Sequence, residues 1–248
     1  MVRNMLAKSG GAYNGVPWRS QEVTRVEALS DAVFAFAVTL LVVALEVPET
    51  FAELWIKMQG FVAFALSFAM LFHVWYSQHI FFRRYGLQDG WTVTLNGVLL
   101  FLVLFYMYPL KFLSSFLVSQ LTGGGGMAHL AGGRVESMVE TDAQGKTLML
   151  VYALGFGAVF GIFALLYWRA WRLRGDLELS DLEVFDARNS IEHNLLMVAV
   201  AVVSIGALYA FDSPGLAGMT YMLIGPILTA YGAFRGRQRR RRYEEPAR

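Results

Sequence analysis

Residues 25–42 read RVEALSDAVFAFAVTLLV. Charge is confined to the first seven of them, as Arg25, Glu27 and Asp31, and no side chain from Ala32 to Leu45 is charged. A hydrocarbon core about 30 Å thick needs roughly 20 apolar residues in a helix, so this stretch, taken as Val26–Val47, predicts a membrane span with an ionisable foot. Working outward, five more apolar stretches follow: Met58–Phe82, Trp91–Val118, Thr147–Trp168, Ile191–Phe211 and Pro214–Phe234. The fifth is the weakest, because its unbroken apolar part starts only at Leu195. Barrel strands are about ten residues long and alternate strictly, which these stretches do not. The expected fold is all-α, a bundle of six transmembrane helices.

The composition agrees. Hydrophobic residues make up 56% of the 248 residues and charged ones 16%, against about 25% charged in soluble domains. The first twenty residues hold Arg3, Lys8 and Arg19 without an apolar core, so the first apolar run is expected to stay as a helix and not to be cleaved. Cysteine is absent, which excludes disulfides, thiolate catalysis and cysteine metal sites. No HExxH, GxSxG or Walker pattern occurs. His73 and His79 are six residues apart and face different sides of a helix; His129 falls in a loop, and His193 stands alone. The sequence therefore predicts no enzyme, cofactor, metal site or nucleic-acid partner, and no TVGYG-like carbonyl filter is present.

Placement of lysine and arginine sets the expected orientation. With both termini inside, seventeen of the 21 basic residues fall on the cytoplasmic side; only Lys57, Lys111, Arg134 and Lys146 fall outside. The chain divides into a polar cytoplasmic segment (1–24), expected to be loosely ordered, the membrane domain (25–235) and a basic cytoplasmic tail (236–248). The loop Ser119–Lys146 carries two glycine runs, Gly123–Gly126 and Gly132–Gly133, and reads as flexible. The segment Arg169–Arg188 reads as a solvated helical extension. The tail run Arg235–Arg242 is first a topology signal; its sharper reading is binding of anionic lipid.

Charge inside a membrane is costly and usually functional. Asp31 lies six residues past Arg25, about 9 Å along the axis and about 120° around it, so the two cannot readily pair on one helix. At the same depth stand His79 of the second span and Asn96 of the third, and a cluster of Arg25, Asp31, His79 and Asn96 would join three helices. Ala28, Ala32 and Ala35 permit close helix approach. Phe36, Thr39 and Val43 continue a stripe at helical spacing. Such a stripe is commonly plain packing, but the lone Thr39 hydroxyl and the ionisable cluster beneath it raise a pore reading. Gly155, Gly157 and Gly161 mark close packing in the fourth span.

Residues 25–42 resemble the first helix of the transmembrane protein 175 family of potassium channels, marked by Arg-x-x-x-Phe-Ser-Asp; here Leu29 stands at the motif phenylalanine. Trp75, His79, Asn96 and Pro109 are similar to that family's next landmarks. The resemblance implies a homotetramer in the cell membrane, conducting potassium ions, with the first helix of each subunit lining a central pore. A bulky apolar residue five positions after the motif Asp would form the constriction, with a threonine three positions later. Those positions hold Phe36, where isoleucine or leucine is usual, and Thr39. Ala32, Leu40 and Val43 would line the pore. Arg25, Ser30, Asp31, His79 and Asn96 would form a supporting polar network. A secondary transporter or proton-coupled carrier using Asp31 and His79 as relay groups stays open as the alternative, with Gly225-Pro226 as the one candidate helix break.

Overall fold

The computed structural model describes residues 12–13, 16–19, 22–43, 50–51, 54–55, 58, 60–129 and 135–241. The acidic loop with Glu46, Pro48, Glu49 and Glu53, the side chain of Val43, Arg134, Gly132–Gly133 and the tail beyond Arg241 lie outside them. The architecture is nearly all helical: α1 (Arg25–Val43), α2 (Phe61–Tyr85), α3 (Gly90–Leu121), α4 (Asp142–Arg172), α5 (Asp181–Phe211), α6 (Pro214–Met219), a 3₁₀ turn (Thr220–Leu223) and α7 (Ile224–Arg239). Two short antiparallel hairpins complete it, β1–β2 (Ala12–Tyr13 with Val16–Pro17) and β3–β4 (Met127–His129 with Val135–Ser137). Five stretches are long and apolar enough to cross a membrane among the described residues: α2, α3, α4, α5 and the composite Pro214–Arg239. The shorter α1, with its charged foot, is the sixth helix of the bundle.

The helices outrun their apolar cores where polar residues cap them. α4 starts at Asp142, five residues before the predicted span, because Thr141 and Gln144 form a reciprocal capping box that satisfies orphan N–H groups. α5 starts at Asp181, ten residues early, through the same device at Ser180 and Glu183. The expected solvated extension is thus the ends of two helices joined by a turn over residues 173–180. In the loop after α3, the first glycine run is a structured turn. Gly123, Gly125 and Gly126 take positive φ, which glycine reaches without steric cost. The Gly124 N–H donates to the Ser119 carbonyl at 2.7 Å and the Gly126 carbonyl accepts from Met138 at 2.8 Å. The sixth span is broken just before Gly225-Pro226. Proline has no N–H to give the preceding turn, and that turn winds as 3₁₀ over Thr220–Leu223.

Two apolar clusters hold the bundle. Phe34, Ala37 and Leu41 of α1 pack with Leu71 of α2 and Leu100, Val103 and Met107 of α3. Phe81, Phe82 and Tyr85 of α2 pack with Leu99 of α3, Phe163, Leu166 and Tyr167 of α4 and Ala187 of α5. α1 therefore leans on α2 and α3 along one seam.

Candidate functional site

The seam of α1 is set by residue spacing. Ser30, Phe34, Ala37 and Leu41 are all buried and recur at three and four residues, one face of a helix. Ala32, Ala35, Phe36 and Thr39 are exposed. At 100° per residue this second set lies about 180° from the first, on the opposite face. Phe36, mid-helix, is 55% exposed, while Ala37 beside it is fully buried. Leu40 sits half-buried at the edge of the stripe. The Thr39 hydroxyl donates to the Ala35 carbonyl at 3.0 Å. Its proton is spent inside the helix, and its oxygen keeps acceptor capacity on the exposed face.

Behind the stripe a polar network joins α1, α2 and α3. Asn96 of α3 donates to the Ser30 hydroxyl at 3.0 Å and accepts from the Gln78 amide of α2 at 2.8 Å; Ser30 donates to the Val26 carbonyl at 2.7 Å. All three side chains are buried. The Trp75 indole N–H donates to Asp31 at 2.8 Å, so the partner that Asp31 needs from a neighbouring helix is an indole. His79 stacks on Trp75 at 5.4 Å and meets Trp18 at 5.5 Å on its way into α1. The structure thus brings Ser30 and Asn96 into direct contact and links Asp31 to His79 through Trp75. It does not bring Arg25 into the set. Arg25 is exposed and, seven residues before Ala32, stands on the outward stripe. The α1 carboxylate at this depth that meets a cation is Glu27. It accepts from the Thr24 N–H at 2.9 Å and lies 3.5 Å from Arg83 of α2.

Gln78, Arg83 and Trp18 lie outside the cluster expected from the sequence, and Glu27, read as part of the charged foot, had no partner assigned there. Gln78 had a signal, since a buried amide in an apolar span needs a partner and Asn96 offered one. Asn96→Ala is expected to destabilise the protein by about 1–3 kcal/mol by stranding the Gln78 amide, read as a lower unfolding midpoint in detergent, and Ser30→Ala is expected to fall in the same range because it leaves the buried Asn96 amide N–H without its acceptor.

The same end of the bundle carries ion pairs between elements. Arg19 reaches Glu183 with two bonds of 2.9 Å, which tie this stretch just before α1 to α5. Arg84 meets Asp186 at 2.9 Å, both buried. Arg169 meets Asp89 at 3.0 Å. At Asp89, in the α2–α3 turn, partial burial pushes the carboxyl up, but a hydrogen bond from Thr92 and the Arg169 guanidinium outweigh it and hold it below the usual carboxylate range. Its stabilising contribution is therefore present at neutral pH and lost only as the pH falls through that lowered value.

The residues that build this arrangement coincide with a family pattern. The pattern described as endosomal/lysosomal potassium channel TMEM175 matches residues 25–106. A protein of Marivirga tractuosa named potassium channel is 39% identical over 254 residues, covering 97% of this chain and 98% of its own. Another of Chamaesiphon minutus, also named potassium channel, is 34% identical over 108 residues, which is 39% of this chain and 52% of that protein. The solved potassium channel MtTMEM175, a variant in complex with a nanobody–MBP fusion, superposes with a TM-score of 0.77 at 38% identity over 92% of this chain and 99% of that one. The lysosomal potassium-selective channel TMEM175 homolog from Chamaesiphon minutus superposes at 0.54 and 24% identity over 86% of this chain and 99% of that one, a likeness of fold. Near-complete mutual coverage at this identity, on a chain whose first helix already carries the motif, means that this multi-pass membrane protein belongs to the TMEM175 family of potassium channels.

Proposed function

We propose that this chain is a subunit of a potassium channel in which α1 from each of four copies surrounds a central pore, with Phe36 at its narrowest point. The observation that carries the reading is the exposure of Phe36 and Thr39 on a helix whose opposite face is fully packed. A stripe of small and medium side chains flanking one bulky ring suits close approach of identical helices about an axis. Four Phe36 rings would form a hydrophobic constriction that excludes ions by refusing water. Thr39, one turn away, would offer an oxygen ligand. The Ser30–Asn96–Gln78 network and the Phe34–Ala37–Leu41 seam would hold each α1 from behind and fix which face it turns inward. Arg25, Asp31 and His79 would frame the inner mouth. Ala32, Leu40 and Val43 would complete the lining.

The test is potassium flux from loaded proteoliposomes. A channel moves K⁺ down its gradient at a rate limited by charge balance, so a proton ionophore should accelerate efflux strongly. Efflux that needs no ionophore would indicate proton-coupled carriage and remove the channel reading. Trp75 separates Asp31 from His79 as a direct relay, which favours the channel.

The proposal places the protein in the cell membrane with residues 1–24 and the tail 236–248 in the cytoplasm. The end of the bundle bearing Arg83, Arg84, Arg169, Arg235 and Arg239 would be cytoplasmic, and the end where Lys146 pairs with Asp212 would be external. A tag after Arg248 is expected to be reachable only from the cytoplasm and one within Gly123–Gly126 only from outside. Both tags labelled from one side would defeat an even number of spans.

A further inference from the structure

The basic end of the sixth span presents two faces with different fates. Arg235 turns inward and pairs with Glu192 of α5, lying over the Phe185 and Tyr231 rings at 5.6 and 5.7 Å. Arg239, four residues on, approaches Asp186 of α5 at 3.9 Å. These two contacts fix the rotation of α7. That rotation turns Phe234, Arg237, Gln238 and Arg241 to the other side, at i, i+3, i+4 and i+7, where they line an open cavity of about 490 Å³. Gln238 is held by accepting from Arg235 at 2.8 Å, so the inner arginine also sets the outer wall. Arg237 and Arg241 are exposed and no carboxylate lies within ion-pair distance of either among the described residues.

Depth decides the occupant. The residues before the cavity, from Ile224 to Phe234, are uncharged, and the residues after it are Arg-Gly-Arg-Gln-Arg-Arg-Arg. Phe234, 65% exposed, therefore stands where hydrocarbon gives way to headgroups, and the two guanidinium groups stand one and two turns further out. Guanidinium is the side-chain group that matches phosphate oxygens bidentately, and basic clusters directly beyond a transmembrane helix attract anionic lipid. We propose that Phe234, Arg237, Gln238 and Arg241 form a binding site for the phosphate headgroup of an anionic phospholipid, with Phe234 against its acyl chain. Because Arg235 and Arg239 carry the same helix onto α5, a bound lipid would brace the sixth span, which is otherwise the least buried of the spans.

The protein reconstituted in vesicles of phosphatidylglycerol and phosphatidylcholine, doped with a photoactivatable headgroup analogue of either lipid, provides the test. Phosphatidylglycerol analogue is expected to label the peptide containing Phe234–Arg241, phosphatidylcholine analogue to label it several-fold less, and soluble glycerol phosphate to leave the labelling unchanged. R237Q/R241Q is expected to weaken phosphatidylglycerol binding about 25-fold, from about fivefold per arginine near a charged surface, with Arg235 and Arg239 intact to keep α7 docked. Equal labelling by both lipids, or labelling confined to the α4–α5 turn, would overturn the site. So would competition by glycerol phosphate, which would mark a free-phosphate site. Unchanged binding in R237Q/R241Q would do the same, assigning these arginines to topology alone.

Discussion

Asp186→Ala is expected to lower the stability of the folded chain by about 3–5 kcal/mol, the usual cost of breaking a buried ion pair from one side. Asp186 and Arg84 are 6% and 5% exposed and meet at 2.9 Å between α5 and α2. Removing the carboxylate loses an attraction, but the larger effect is that the Arg84 guanidinium stays behind in a low-dielectric interior. Arg239 loses a partner at the same time, which loosens α7. On the scale of chains this size, each kcal/mol moves the melting temperature by roughly 2–4 °C, so a fall of roughly 6–20 °C in detergent is the expected reading. The double variant Arg84→Met with Asp186→Leu separates the two causes. Replacing both members by apolar groups is often neutral or stabilising, so it is expected to recover most of the loss. A double variant as unstable as Asp186→Ala would mean that the pair's own attraction, and not the stranded charge, supports the bundle.

That ion pair also marks the boundary of what the sequence could tell. The spans were readable because lipid imposes a length, and the apolar runs of α2, α3, α4 and the sixth span announce it. The first turns of α5 were not readable. Asp181–Ser190 is polar and looks like a solvated loop, yet Glu183 and Asp186 are buried against Arg19 and Arg84. Those partners lie about a hundred residues or more away in sequence, and no local propensity records them. The break in the sixth span was half readable. Gly225-Pro226 signalled it, but a missing proline N–H acts on the turn before it, so the irregular segment is Thr220–Leu223.

In the site, depth was legible across helices, but azimuth only within α1. Arg25, Asp31, His79 and Asn96 share a level, which is why they could be grouped. A helix also fixes direction: counting in sevens from Arg25 reaches Ala32 and Thr39, the exposed face, whereas Ser30 points to the seam. Asn96 therefore meets Ser30, and Arg25 meets neither. The Trp75–Asp31 bond needed a third quantity, the reach of an indole from α2, which spacing along α1 does not contain. The resemblance named Trp75 as a landmark without saying what it touches.

Phe36 is where these threads produce the largest functional effect. In the proposed pore, four Phe36 rings close on the axis one turn inward of Leu40, and ions cannot pass without replacing hydration that an apolar ring does not supply. Phe36→Ala removes most of that bulk in every subunit, and Phe36→Asn adds hydrogen-bonding groups at the same level. Both are expected to raise cation flux by at least tenfold, equivalent to about 1.4 kcal/mol off the barrier, and to reduce discrimination between K⁺ and Na⁺. Phe36→Leu places at this position an aliphatic side chain of the kind that the resemblance implies and is expected to keep selectivity. If Phe36 were instead a packing residue, truncation would cost about 3–5 kcal/mol of stability. Its 55% exposure in the single chain argues against that within one subunit, although a contact between subunits would still register as a loss of the oligomer. The measurements therefore run together: oligomer mass and melting temperature in detergent, then K⁺ and Na⁺ flux in vesicles. A stable Phe36→Ala oligomer that leaks both ions supports the constriction. An unstable one without flux assigns Phe36 to subunit packing, and a stable one whose K⁺ and Na⁺ permeation equals the parent's takes α1 out of the pore.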